Sequence, residues 1–301
     1  MSENVTILDG GFSRELERLG APFRQPEWSA LALMETPEIV EQAHIKFIKA
    51  GAGVITTNSY AVVPFHIGEE RFASDGRRLI ELSGTLARSA ADKYPGVQVA
   101  GSIPPLFGSY QPKDFDAERA PALLAELVGG LAPHVDLWLI ETTSSIAEMA
   151  AAAEATASAP KPLWVAYTLE DDIPEQGAPK LRSGEAVRDA AAAAARCGAE
   201  AVLFNCSVPE VMEDALREAR AALPLSIRTG VYANAFGKPA SGMAANEGLS
   251  EMRRDLEPPA YVTWALKWRD MGASIIGGCC GISAAHIAVL AGALKDGNQS
   301  S

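Results

Sequence analysis

The chain has 301 residues, 48% of them hydrophobic, which is ample for a large core, yet no window approaches the roughly 20 unbroken apolar residues that a membrane helix needs. Its 38 acidic against 26 basic residues give a formal charge of −12, which makes nucleic acid and anionic membrane surfaces poor partners. Met1-Ser2-Glu3-Asn4-Val5 has no basic segment leading into an apolar run, so no secretory signal is expected. The four cysteines then read as reduced thiols of a cytoplasmic protein.

Apolar runs that end in small or polar residues predict eight strands, near 5–9, 53–58, 97–103, 137–142, 163–168, 201–205, 225–233 and 273–278. They are nearly continuous in apolar character, as strands covered on both faces should be. Segments of helical periodicity alternate with them, at 37–50, 76–94, 117–131, 145–157, 184–197, 209–222, 258–271 and 284–294. Thr36-Pro37-Glu38 and Ser207-Val208-Pro209-Glu210 look like helix starts, each with a capping side chain, an early proline and a carboxylate. The alanine-rich stretches 150–159 and 190–195 fit close-packed outer helices. Eight strands alternating with eight helices predict an α/β fold, a single (β/α)₈ TIM barrel over 1–295, with a frayed tail at 296–301. A doubly wound sheet is the runner-up. Asp9-Gly10-Gly11-Phe12-Ser13 after the first strand does not fit the dinucleotide fingerprint.

In such a barrel the chemistry collects at the C-terminal strand ends. Those ends carry Asp9-Gly10-Gly11, Thr57-Asn58-Ser59-Tyr60, Gly101-Ser102, Glu141-Thr142-Thr143, Asn205-Cys206, Asn234 and Cys279-Cys280. Three of the four cysteines therefore fall on two strand ends of one rim. They fit an open zinc site with three thiolates, redox chemistry between the vicinal pair, or ordinary buried cysteine. Position at the rim favours the metal. Cys197, inside a helical segment, reads as packing. Glu141 follows an apolar run, so its carboxylate would seek a cation, either a substrate ammonium or a rim arginine or lysine. Asp9 either accepts hydrogen bonds or fixes the Gly10-Gly11 turn, whose amides could face a carboxylate.

Asp9-Gly10-Gly11, Glu141-Thr142, Asn205-Cys206 and Gly277-Gly278-Cys279-Cys280-Gly281, in this order and over nearly the whole chain, resemble the homocysteine S-methyltransferase family. The resemblance implies a barrel whose zinc (Zn2+), held by Cys206, Cys279 and Cys280, binds the sulfur of homocysteine. It also implies amino-acid recognition by Asp9, Gly10 and Glu141. The physical logic agrees, because an alkyl thiol is mostly protonated at neutral pH and a dication stabilises its thiolate without a histidine base. None of His44, His66, His134 and His286 falls at a predicted strand end; His66 and His134 are placed in or near loops, and all four read as packing or solvent residues.

A methyl donor must carry an activated methyl on an onium centre, which aromatic faces hold well. Trp28 and Tyr60 match family positions near the donor or substrate pocket, with Phe107 and Tyr110 as weaker candidates; Asn58 joins them as a substrate-binding candidate. The loop Gly101-Ser102-Ile103-Pro104-Pro105 and the ends Asn58-Ser59-Tyr60-Ala61 and Tyr232-Ala233-Asn234-Ala235 depart from the S-methylmethionine-using pattern. The expectation is therefore a small onium donor, S-methylmethionine or betaine-like, with no cobalamin or folate module. The acceptor is homocysteine, alternatively a selenol such as selenocysteine. A zinc-binding barrel without turnover and a metal-free vicinal-thiol oxidoreductase are the other readings. The expected partners are these small-molecule substrates, with a homo-oligomer left open.

Overall fold

The computed structural model describes residues 5–173, 177–236 and 253–296. Its strands are β1 (Thr6–Ile7), β2 (Val54–Thr56), β3 (Gln98–Ile103), β4 (Leu137–Thr143), β5 (Leu163–Tyr167), β6 (Ala201–Asn205), β7 (Arg228–Tyr232) and β8 (Ala273–Ile276). All pair in parallel, in the order β1-β8-β7-β6-β5-β4-β3-β2. A Leu8–Val54 bridge joins the two ends, supported by Asp9 N to Val54 O at 3.1 Å and Gly53 N to Ile7 O at 2.9 Å. The architecture is thus the expected (β/α)₈ barrel.

Side-chain alternation along the strands sorts the core into two layers. Leu137, Leu139, Trp164, Ala166, Ala201, Leu203, Tyr232 and Ile275 fill the cylinder, while Val165, Tyr167, Val202, Phe204 and Val231 pack outward against the helices. The same period carries Glu141 and Asn205 inward at the tops of β4 and β6. Outer helices follow at Pro37–Ala50, Arg77–Ala91, Ala120–Leu131, Ile146–Thr156, Val187–Arg196, Met212–Ala222, Pro258–Asp270 and Ala284–Asp296. Ala190, Ala191, Ala193 and Ala194 are buried, as close helix–barrel packing requires.

Several expectations need correction. The strand predicted from 225 begins at Arg228, because Ile227 N bonds Pro224 O in a turn that leaves Leu225 91% exposed. Neither Thr36 nor Ser207 caps a helix: the Thr36 hydroxyl has no partner, and Ser207 Oγ instead receives Leu169 N at 2.8 Å. Helices Phe12–Arg18 and Ala30–Glu35 were not anticipated, since Gly20, Pro22 and Pro26 break their periodicity. His66 lies on a short helix, Pro64–Ile67, and Cys197 is exposed at a helix C-cap rather than packed. The last helix runs through Asp296; the rest of the expected tail, 297–301, lies outside the described residues.

Candidate metal centre and substrate site

Two glycines bring the late cysteines to the barrel mouth. A Cβ on Gly277 would strike Leu8, and one on Gly278 would strike Ile282, so only bare backbone lets the β8 loop fold against β1. Tyr261 donates to Gly277 O at 2.7 Å, Cys279 N donates to Ala233 O at 2.9 Å, and Ala235 N donates to Cys280 O at 2.8 Å. Cys206, directly after β6, is left-handed at φ 51°, a conformation that a non-glycine residue keeps only when its surroundings enforce it. The sulfurs of Cys206, Cys279 and Cys280 consequently lie within 4.8 Å of one another.

Cys206 and Cys279 are joined as a disulfide, with Cα atoms 5.7 Å apart, while Cys280 is free. This corrects the expectation of four reduced thiols. It also differs from the vicinal reading, since the joined residues are 73 positions apart and come from two strand ends. The donor set nevertheless fits zinc. With the link reduced, three soft sulfur ligands within 4.8 Å of one another are the ligand type and number of an open zinc site. Burial, with the Glu141 charge adding to it, pushes the Cys280 thiol up to about 11. Such a thiol ionises near pH 7 only beside a cation.

Glu141 is 8% exposed; its carboxylate accepts from Ser102 Oγ and, across the barrel, from Tyr232 OH at 3.3 Å. Two hydroxyls thus occupy the place that a rim arginine or lysine would take. Asp9 is 4% exposed and accepts from Thr56 N at 2.7 Å and Thr56 Oγ1 at 2.9 Å, so it is a fixed acceptor. Burial raises both carboxyls to about 7, with Glu141 adding to the rise at Asp9. Both acids therefore hold their protons more tightly than an exposed carboxyl does. Gly10 is crowded: a Cβ there would meet the Ile282 carbonyl and Phe47. Gly11 N donates to Ile282 O at 2.7 Å, so that amide serves the fold and does not face a substrate carboxylate.

Of the aromatic candidates, Trp28 and Tyr60 stand beside His66, whereas Phe107 packs against Phe115 and Arg119, and Tyr110 against Arg182. Trp28 lies 6.1 Å and Tyr60 6.5 Å from the imidazole, ring centre to ring centre. Burial lowers His66 to about 4, so it is neutral, with Nδ1 3.0 Å from Pro26 O. Trp28 is left-handed at φ 47°, and its indole N–H is buried without a partner, as is the Gln25 amide nitrogen. Tyr60 OH and Ser109 Oγ are 2.5 Å apart. Asn58 donates to Ser29 O at 3.0 Å, which ties β2 to the Trp28 loop. Sequence reasoning missed Tyr232, Ser102 and Asn205 as partners. Strand alternation could have found Tyr232 and Asn205, since both share parity with interior residues. Asn205 accepts from Thr142 N at 3.1 Å and donates to Thr142 Oγ1 at 2.8 Å, fixing another left-handed residue at φ 58°.

This arrangement has counterparts in known proteins. The family model described as homocysteine S-methyltransferase matches residues 6–294. The chain is 29% identical to homocysteine S-methyltransferase 1 of Brassica oleracea var. italica, over 96% of this chain and 93% of that protein. It is 25% identical to a selenocysteine methyltransferase of Astragalus bisulcatus, over 92% and 88% of the two. Among solved structures, the homocysteine methyltransferase MmuM of Escherichia coli in its metallated form superposes with a TM-score of 0.77 at 28% identity, covering 97% of this chain and 96% of that one. Its oxidized form superposes with a TM-score of 0.79. With one family pattern spanning the whole barrel, the chain belongs to the homocysteine S-methyltransferase family, a family of methyl-transferring enzymes.

Proposed function

We propose that this enzyme moves a methyl group from a small onium donor, S-methylmethionine or a betaine-like compound, to the thiol of L-homocysteine, giving methionine. The observation that carries the reading is the meeting of three cysteine sulfurs from two strand ends within 4.8 Å, beside a buried carboxylate that lacks a cation partner in its hydrogen bonds. Zinc held by Cys206, Cys279 and Cys280 would supply the positive charge that keeps the acceptor sulfur deprotonated.

The chain's own residues do the rest. Glu141 and Asp9 receive the acceptor's ammonium, which restores their ionised forms against burial. Ser102, Tyr232 and Thr56 hold the two carboxylates in place, so little ordering is left to the moment of binding. Trp28 and Tyr60 present aromatic faces to the donor's cationic centre. The sulfur–methyl bond forms as the onium–methyl bond breaks, and the positive charge of the donor disappears in the step. Around a bound donor these rings would also keep out water that competes for the methyl group.

Selenocysteine is the second acceptor to test, since a relative carries that name. Reduced protein is incubated with homocysteine or selenocysteine and either S-methylmethionine or betaine. Methylated acceptor from at least one donor is expected, with glutathione unreactive; no product from any pair, in zinc-loaded protein, overturns the reading.

A further inference from the structure

Behind the metal centre, three donors converge on one oxygen. The Cys206 carbonyl receives Tyr110 OH at 3.3 Å, Thr168 Oγ1 at 3.4 Å and Arg182 Nη2 at 3.4 Å. Each contact is long, so the weight lies in their number and in what they hold: the peptide unit that leaves a left-handed cysteine. Arg182 is the hub. Its Nε donates to Thr168 Oγ1 at 3.1 Å, its Nη2 pairs with Asp171 at 2.8 Å, and its guanidinium lies 4.1 Å from the Tyr110 ring centre. Its side chain is 14% exposed and that of Asp171 is 6% exposed, so solvent screens the assembly little. Asp171 also accepts from Val208 N at 2.9 Å, two residues further on, so the same assembly fixes the backbone that leaves Cys206.

We infer that Arg182, with Tyr110, is a positioning residue that locks Cys206 in its left-handed conformation and so aims its sulfur at the shared metal position. The inference rests on the zinc reading above for its functional meaning, but the geometry concerns this chain alone. A planar fork is needed, because Thr168, Asp171, the Cys206 carbonyl and the Tyr110 face are satisfied together. A lysine would keep the ion pair with Asp171 and lose the rest.

The test compares full-length wild type, Arg182→Lys, Arg182→Gln and Tyr110→Phe. Zinc affinity is measured against a chromophoric chelator in reduced protein. Both Arg182 variants are expected to bind zinc about tenfold or more weakly, the usual effect of removing an outer partner of a metal ligand. Tyr110→Phe should weaken it about threefold. A role confined to the Asp171 ion pair predicts wild-type affinity in Arg182→Lys, and that result overturns the inference. If Arg182→Gln does not fold, Arg182→Lys and Tyr110→Phe decide on the same criterion. In metal-free reduced protein, iodoacetamide should alkylate Cys206 severalfold faster in Arg182→Lys than in wild type, with Cys280 unchanged. Should wild type take up no zinc, the zinc reading fails and this alkylation comparison alone decides, with equal Cys206 rates overturning the inference.

Discussion

Glu141 sits under two opposed demands. Burial favours its protonated form and lifts it to about 7, whereas the proposed role as partner of a substrate ammonium needs it ionised. Asp9 stands in the same position. Acceptor affinity should therefore rise with pH through about 7, as these groups lose their protons, and level off above it. In Glu141→Gln the acceptor KM should increase about 10- to 100-fold at pH 8, as expected for a lost charge-assisted hydrogen bond, and its pH dependence should flatten. The donor KM should change little. Steady-state kinetics with each substrate varied in turn checks this, and a variant whose donor KM rises while acceptor KM stays constant contradicts the role. Much of the site was legible at this scale because thiols and acids at predicted strand ends are rare enough to notice. What was not legible is hydrogen-bond bookkeeping: that Gly11 N is used by Ile282 O, or that hydroxyls of Ser102 and Tyr232 serve Glu141, depends on residues distant in sequence.

The helix Ile146–Thr156 shows how an element can hold a titration of its own. Ser145 Oγ caps the helix by accepting from Glu148 N at 3.2 Å, and Glu148 in turn accepts from Ser144 N at 2.6 Å, one residue ahead of the cap. Burial nevertheless lifts Glu148 to about 7, and nearby Glu185 adds to the rise against the pull of the Ser144 and Ser145 amides. Since the folded value lies above the unfolded one, the stabilising effect is complete below about 4.5 and is lost as pH rises through about 7. Glu148→Gln should remove this loss. Between pH 5 and pH 8 wild type should fall by about 2 kcal/mol relative to the variant in urea unfolding. A difference that does not change with pH contradicts the assignment. Strands were foreseen from apolar runs and long helices from period, within a few residues. The short helices of the first loop were not, because prolines and a glycine break any period, and the capping side chains foreseen at Thr36 and Ser207 were not made. Ser207 was drawn instead into bonding the β5 end at Leu169.

For the whole molecule, the decisive feature is that strands far apart in sequence end at one rim. The bridge between Leu8 and Val54 joins the first strand to the second, so that β8 lies beside β1 and the Gly277-Gly278 turn packs on Leu8. β6 reaches the same rim one strand beyond β7, and Cys206 meets Cys279 there. The count and alternation of elements foretold this rim; the disulfide link at it did not follow from composition, since four cysteines in 301 residues carry no framework pattern. The central claim is that these three sulfurs hold one zinc. It is tested most directly by metal analysis and zinc X-ray absorption on freshly reduced protein, wild type beside Cys206→Ser. One zinc per chain with three sulfur neighbours at about 2.3 Å, and loss of most of that zinc in the variant, is the expected result. No zinc uptake by wild type, or equal uptake by Cys206→Ser, would contradict it.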